Sequence, residues 1–139
     1  MGGVTELPSD MLAHNRRLIE HFRSNGAPEG RQLLLLTTTG RRSGELRCSP
    51  MMYIRDGERL LVVASNAGAD KDPMWYLNLA ADSRVHVEIG AESYDATAVP
   101  LQGEDRREVF ARIVASYPFF ADHQAKVHRE IPVVELHRT

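Results

Sequence analysis

Cysteine is almost absent: Cys48 is the only one in the chain. That excludes an internal disulfide and any metal site built from several thiolates. It also suits a reducing compartment, so the cytoplasm is the expected location. Lysine is nearly as scarce. Lys71 and Lys126 stand alone, and the remaining fixed positive charge is arginine. Neither sign of charge dominates: 17 basic against 19 acidic residues leave a formal net charge of −2. No global electrostatic case exists for nucleic acid or an anionic membrane as partner. No apolar run reaches the length of a membrane span. The N-terminus lacks the charged start, apolar centre and small-residue cleavage site of a secretory signal. The histidines, His14, His21, His86, His123, His128 and His137, include no pair with the helical spacing and carboxylate company of a zinc site, so no metal is expected. No serine stands in a nucleophile elbow, and the glycines near residue 40 lack dinucleotide-fingerprint spacing.

What is there is the composition of one globular domain: 139 residues, 42% hydrophobic and 26% charged. Residues 1–30 read as a loose tail and an amphipathic helix, capped by Ser9 or Asp10 and running to about residue 24. Met11, Leu12, Leu18, Ile19 and Phe22 share one face, with Arg16, Arg17, Glu20 and Arg23 largely opposite. Asn25, Gly26, Ala27 and Pro28 supply the stop. Docking on the domain is the expected role of this helix, with peripheral membrane contact through its basic face as the alternative.

Residues 31–139 alternate short strands with helices. Strands are expected at 33–39 and 47–55, with Asp56-Gly57 turning into a third at 59–65. Asp72 as cap and Pro73 at the first helical position open a helix to about residue 81. A hairpin follows, 85–89 and 93–99, through Gly90-Ala91. A helix near 105–116 turns Val109, Phe110, Ile113 and Val114 inward and stops at Tyr117-Pro118. Residues 117–130 read as irregular or loosely helical, and 131–137 as a last strand. Pro50 cannot donate to a ladder, which implies an edge, a bulge or a gap. Cys48 alternates with Pro50, Met52 and Ile54 on an apolar face, the pattern of a packed thiol. About six antiparallel strands with intervening helices make a mainly β, α+β fold, a small barrel with helical decoration.

One stretch concentrates polar chemistry. After the apolar run Leu33 to Leu36 come Thr37, Thr38, Thr39, Gly40, Arg41, Arg42, Ser43 and Gly44, then Arg47. Three guanidiniums and several hydroxyls in one strand-to-strand turn suit a ligand bearing phosphate or several carboxylates, since guanidinium meets both in a planar two-bond geometry. A solvated hairpin tip is the competing reading. With no acid–base machinery in evidence, a cradle of this kind fits an enzyme whose cofactor carries the hard chemistry.

Together with Val63-Ala64-Ser65, the segment Pro73-Met74-Trp75-Tyr76-Leu77-Asn78-Leu79, Ser116-Tyr117-Pro118 and Ile131-Pro132, the arginine turn resembles the deazaflavin-dependent nitroreductase and F420H2-dependent quinone reductase family of actinobacteria. The resemblance implies a split β-barrel of the FMN-binding, pyridoxamine-phosphate-oxidase-like type over residues 31–139, with homodimers expected by fold analogy. It implies coenzyme F420 as hydride donor and a quinone-like, nitroaromatic or otherwise activated conjugated acceptor. F420 carries a phosphate and an oligoglutamate tail, which Arg41, Arg42 and Arg47 would clamp while Thr38, Thr39 and Gly40 line the turn. Pro50, Met51 and Met52 would line the groove, and Ala64, Ser65, Asn66 and Ala67 would approach the deazaflavin ring. Met74, Trp75 and Asn78 would close the far side, with core packing as the plainer role for Met74 and Trp75. Ser65, Tyr117 and His123 are the candidate proton donors, and Tyr117, Phe120 and His123 would face the acceptor. The chain departs from relatives at Asn66, where lysine is common, and at Phe120 and His123, where tyrosines are. Two rivals stand beside this reading: a flavin-mononucleotide oxidoreductase of the same barrel class, and a non-catalytic carrier of F420 or a lipid-like ligand.

Overall fold

The computed structural model describes residues 9–27 and 31–139, with side chains from residue 14 onward. The expected tail at 1–8 and the helix stop at Pro28 lie outside the described residues. A helix, α1 (Ser9–Asn25), comes first, followed by β1 (Leu33–Thr39), β2 (Leu46–Met52), β3 (Ile54–Asp56) and β4 (Arg59–Val63). Then come α2 (Met74–Ala81), β5 (Arg84–Ile89), β6 (Glu92–Pro100), α3 (Gly103–Ser116), α4 (Phe119–Ala125) and β7 (Val133–Arg138).

All seven strands form one antiparallel sheet in the order β2-β1-β5-β6-β7-β4-β3. Its two end strands, β2 and β3, are consecutive in sequence and separated only by Tyr53. Adjacent Cα atoms are about 3.8 Å apart, so the sheet has to curl until its ends meet at that residue. This is the physical origin of the barrel. The single strand expected over 47–55 therefore exists as two, broken at Tyr53, whose N–H bonds Gln32 O at 3.2 Å in continuation of the β1–β2 register. Pro50 sits where its missing donor costs least, on β2, which pairs with β1 alone.

Alternation along β1 builds two cores from one apolar run. Leu34 and Leu36 face the barrel interior with Leu60, Val62, Val87, Val134 and Leu136. Leu33 and Leu35 face outward, beneath Phe22, Leu18 and Ile19 of α1. A strand covered on both sides reads as continuous leucine. Cys48 packs in this outer layer, and burial pushes its thiol pKa up, as a packed thiol requires. A third cluster joins Leu61 and Val133 to Val109, Ile113 and Phe120 of α3 and α4.

One local expectation needs correction. Pro73, with extended backbone (ψ 154°), is itself the cap of α2, and Asp72 turns away to pair with Arg129. Within the stretch expected to be irregular or loosely helical, residues 119–125 form a helix, opened by Pro118.

Candidate cofactor-binding site

The β1–β2 turn is held shut before any ligand is considered. Gly40 N–H donates to Glu45 O at 2.7 Å, and Gly44 N–H to Gly40 O at 2.8 Å. A Cβ on Gly40 would lie 2.8 Å from Ser43 Oγ and 3.1 Å from Glu45 O, so the close turn leaves little room for a side chain there. Asn78 of α2 then locks the turn to the helix. Its Oδ1 accepts from the Arg41 N–H at 3.2 Å and from Arg41 Nη1 at 3.4 Å, while its Nδ2 donates to Thr38 Oγ1 at 3.3 Å. Asn78 and Thr38 are both buried. They brace Arg41 from behind, with Thr39 half-buried at the end of the strand.

In front of this brace lies a groove of about 570 Å³. Gly40, Arg41, Arg42 and Arg47 border it from the turn, Met74, Trp75 and Asn78 from α2, and Asn15, Arg16 and Ile19 from α1. Leu46 and Met74 are among the few large apolar side chains left exposed, and both sit on its wall. Trp75 packs on the barrel core with one side and lines the groove with the other. A groove with apolar walls and several guanidiniums is suited to a flat ligand with an acidic extension.

The arginines of the groove differ from many of those elsewhere. Arg23, Arg59, Arg84, Arg107, Arg112, Arg129 and Arg138 each meet a carboxylate within 3.0 Å. Among the described residues, Arg16, Arg41 and Arg42 meet none, and Arg47 has only the exposed Glu45 at 3.2 Å. Arg16 was not separable in sequence from the other polar residues of α1. Only the docking of the helix brings it to the groove.

The remaining candidates gather elsewhere. Pro50, Met51 and Met52 are half-buried on β2, with Met51 against the inner core and Met52 against the α3–α4 layer. Ala64 and Ser65 are buried at the end of β4, followed by the single 3-10 turn Asn66–Gly68. Asn66 and Ala67 both hold positive φ, 50° and 54°. α4 packs on this turn: a Cβ at Gly68 would lie 3.5 Å from His123 Cα. His123 stands edge-on to Phe119 and Phe120, ring centroids 5.6 and 6.0 Å away, and its enclosed Nδ1 has no partner among the described residues. Tyr117 reaches this array through Phe119, at 6.3 Å, while its hydroxyl donates to Gln32 Oε1 at 2.9 Å. Phe120 is buried in the α3–α4 core, whereas Phe119 is exposed. Two further residues emerge only from the structure. Arg129 binds the 64–72 loop, and the buried Arg106 stacks on Phe110 at 4.2 Å.

The curled antiparallel sheet is a split barrel, and its groove gathers several guanidiniums suited to an acid-bearing cofactor. The fold alone is shared with a protein of Listeria innocua assigned as a pyridoxamine 5′-phosphate oxidase, at TM-score 0.52 and 12% identity over 88% of this chain and 91% of that one. The model of the F420H2-dependent quinone reductase family matches residues 14–137, and the chain belongs to that family. It is thus an oxidoreductase whose cofactor is coenzyme F420. It is 36% identical over 118 residues to an F420H2-dependent quinone reductase of Mycobacterium tuberculosis, covering 81% of this chain and 76% of the relative. A solved F420H2-dependent reductase superimposes at TM-score 0.69 with 38% identity, over 77% of this chain and 95% of that one. A domain-swapped dimer superimposes at TM-score 0.71 with 34% identity, over 94% and 100%. The donor set fits the cofactor: F420 brings a phosphate and carboxylates, and the groove offers Arg16, Arg41 and Arg42 with no carboxylate partner among the described residues, and Arg47 with only the exposed Glu45. No helix among the described residues is long and apolar enough to cross a membrane.

Proposed function

We propose that the chain reduces a quinone-type acceptor, with nitroaromatic and other conjugated acceptors within reach, and that the groove between α1, α2 and the β1–β2 turn holds the acidic end of F420. The observation that carries this reading is the set of Arg16, Arg41 and Arg42 facing one groove without carboxylate partners among the described residues. Arg41 is pre-oriented by Asn78, which lowers the ordering cost of binding. Trp75, Met74 and Leu46 supply apolar walls, and residues 64–67, just upstream of α2, supply small side chains and backbone for close approach to the ring.

Reduced F420, when bound, supplies a hydride to an electron-poor acceptor. The protein's share of the chemistry is to stack the acceptor at short range, exclude water and hold a proton near the oxygen that gains charge. Exposed Phe119, edge-on to Tyr117 and His123, offers an aromatic ledge to a flat acceptor. Of the three donor candidates, Tyr117 has its hydroxyl proton engaged by Gln32. His123 stands edge-on to the exposed Phe119, and its enclosed Nδ1 has no partner among the described residues. His123 is therefore the preferred donor, with Ser65 second.

Titration with F420 and, separately, with flavin mononucleotide tests the cofactor assignment by ligand fluorescence. Menadione is then added to the complex with reduced F420. Saturable F420 binding and menadione-dependent oxidation are expected. Tight flavin binding without an F420 response contradicts the reading, and F420 binding without turnover across a broad acceptor panel replaces the enzyme with a carrier.

A further inference from the structure

We propose that Arg129 is a positioning residue that fastens the ring-facing loop of residues 64–72 in the shape that receives the cofactor. The proposal rests on the reading above that this loop meets the deazaflavin. The sequence gives the loop no glycine where one is wanted. Asn66 and Ala67 both take left-handed backbone conformations, which a Cβ disfavours, and alanine has no side-chain hydrogen bond to compensate. Asn66 has its own Nδ2 bond to Lys71 O at 3.0 Å, so Ala67 is the position that something outside the loop has to support.

The guanidinium of Arg129 does so from both ends. Its Nη1 donates to Ala64 O at 3.2 Å and to Asp72 Oδ1 at 2.6 Å. Its Nη2 donates to Ser65 O at 3.0 Å and to Ala69 O at 3.0 Å, and its Nε to Ala69 O at 3.3 Å. One planar fork thus ties the two residues before the left-handed pair to two positions after it. An ammonium could not span the same acceptors.

Arg129 is itself held. Its carbonyl accepts from Gln124 Nε2 at 2.8 Å, and Gln124 Oε1 accepts from the Ile131 N–H at 2.9 Å and from buried Arg106 at 3.3 Å. The fastening therefore runs from the α3–α4 layer to the loop.

The direction of the bonds matters for function. Arg129 occupies carbonyl oxygens, and the Gly68 and Ala69 N–H groups close the turn on Ser65 O and Asn66 O. The N–H groups of Ser65, Asn66 and Ala67 are left without an acceptor among the described residues. Successive unpaired N–H groups in a right-handed to left-handed turn form a concavity for oxygen atoms. The carbonyl edge of a deazaflavin carries such oxygens.

The test has one arm without cofactor and one with it. In the apo protein, Arg129→Gln should raise amide exchange in residues 65–71 at least tenfold and leave the 38–47 turn unchanged. With cofactor, the same variant should raise the F420 Kd at least tenfold. Adding Ala67→Gly to Arg129→Gln should recover several-fold of both, because glycine enters the left-handed region without penalty. If the glutamine variant does not fold, Arg129→Lys should give the same pattern at smaller amplitude. Unchanged loop exchange, a uniform rise across the whole chain, or no rescue by glycine overturns the fastening. Wild-type protein that ignores F420 overturns the functional reading, and the apo arm separates the two failures.

Discussion

The groove beside α1 and the opposite side of the barrel use the same residue for opposite purposes. On the far side, Arg59 donates to Glu135 at 2.9 Å and grips Asp105 through two bonds of 3.0 and 2.7 Å. Nearby Arg112 grips Asp56 at 3.1 and 2.9 Å. Those guanidiniums are paired with carboxylates and join β3, β4, β7 and α3. In the groove, Arg41 leans on Asn78 and Arg47 meets the exposed Glu45, while Arg16, Arg41 and Arg42 meet no carboxylate among the described residues. Among the described residues Arg17, Arg31 and Arg55 also lack a carboxylate, but Arg16, Arg41 and Arg42 lack one around a single groove, where the proposed ligand would supply the anions.

The contrast makes a sharp forecast for single substitutions. Arg59→Ala leaves the nearly buried Glu135 carboxylate with only His137 at 3.5 Å, so unfolding stability should fall by about 2–3 kcal/mol with little change in F420 affinity. Chemical denaturation of apo protein reads the first quantity and ligand fluorescence the second. Arg42→Ala should do the reverse: about 1–3 kcal/mol lost from F420 binding, and stability unchanged within about 0.5 kcal/mol. If Arg42→Ala destabilises the apo fold as much as Arg59→Ala does, the division between the two faces is lost.

A smaller effect follows from pH. Hydrogen bonding from Arg112 holds the Asp56 pKa below its ordinary value, and Arg59 does the same for Asp105. A carboxylate with a depressed native pKa contributes stability above its unfolded value, and loses that contribution as pH falls through the native one. Asp56→Asn should therefore cost under about 1 kcal/mol at pH 7. The difference from wild type should shrink below about pH 4 and vanish once both states are protonated. Thermal melts from pH 7 to pH 2 check it, and a difference that persists in acid contradicts it.

The strands, the arginine turn and the aromatic-bearing helix were legible because each rests on a local pattern: alternation, glycine and arginine spacing, a proline at a helix start. What escaped detection depends on distant residues. The break at Tyr53 exists because a closed sheet brings β2 and β3 together, which no window around residue 53 encodes. Arg16 belongs to the groove only because α1 docks on Leu33 and Leu35. Asp72 looked like a cap, and Arg129, 57 residues on, outbids that role with a bond of 2.6 Å. The brace that Thr38 and Asn78 form behind Arg41 joins a strand to a helix 40 residues on, which no local pattern encodes.

The central claim, that the unpaired guanidiniums hold the acidic end of F420, is tested most directly by comparing F420 with the same deazaflavin lacking the phosphate and glutamates. Binding of both ligands is measured to wild type and to Arg42→Ala. Wild type should prefer F420 by roughly tenfold or more, since each 1.4 kcal/mol of charged hydrogen bonding is a factor of ten. Arg42→Ala should lose most of that preference while keeping its affinity for the tail-less ring. Equal affinity of wild type for the two ligands, or a preference untouched by the substitution, would contradict the account.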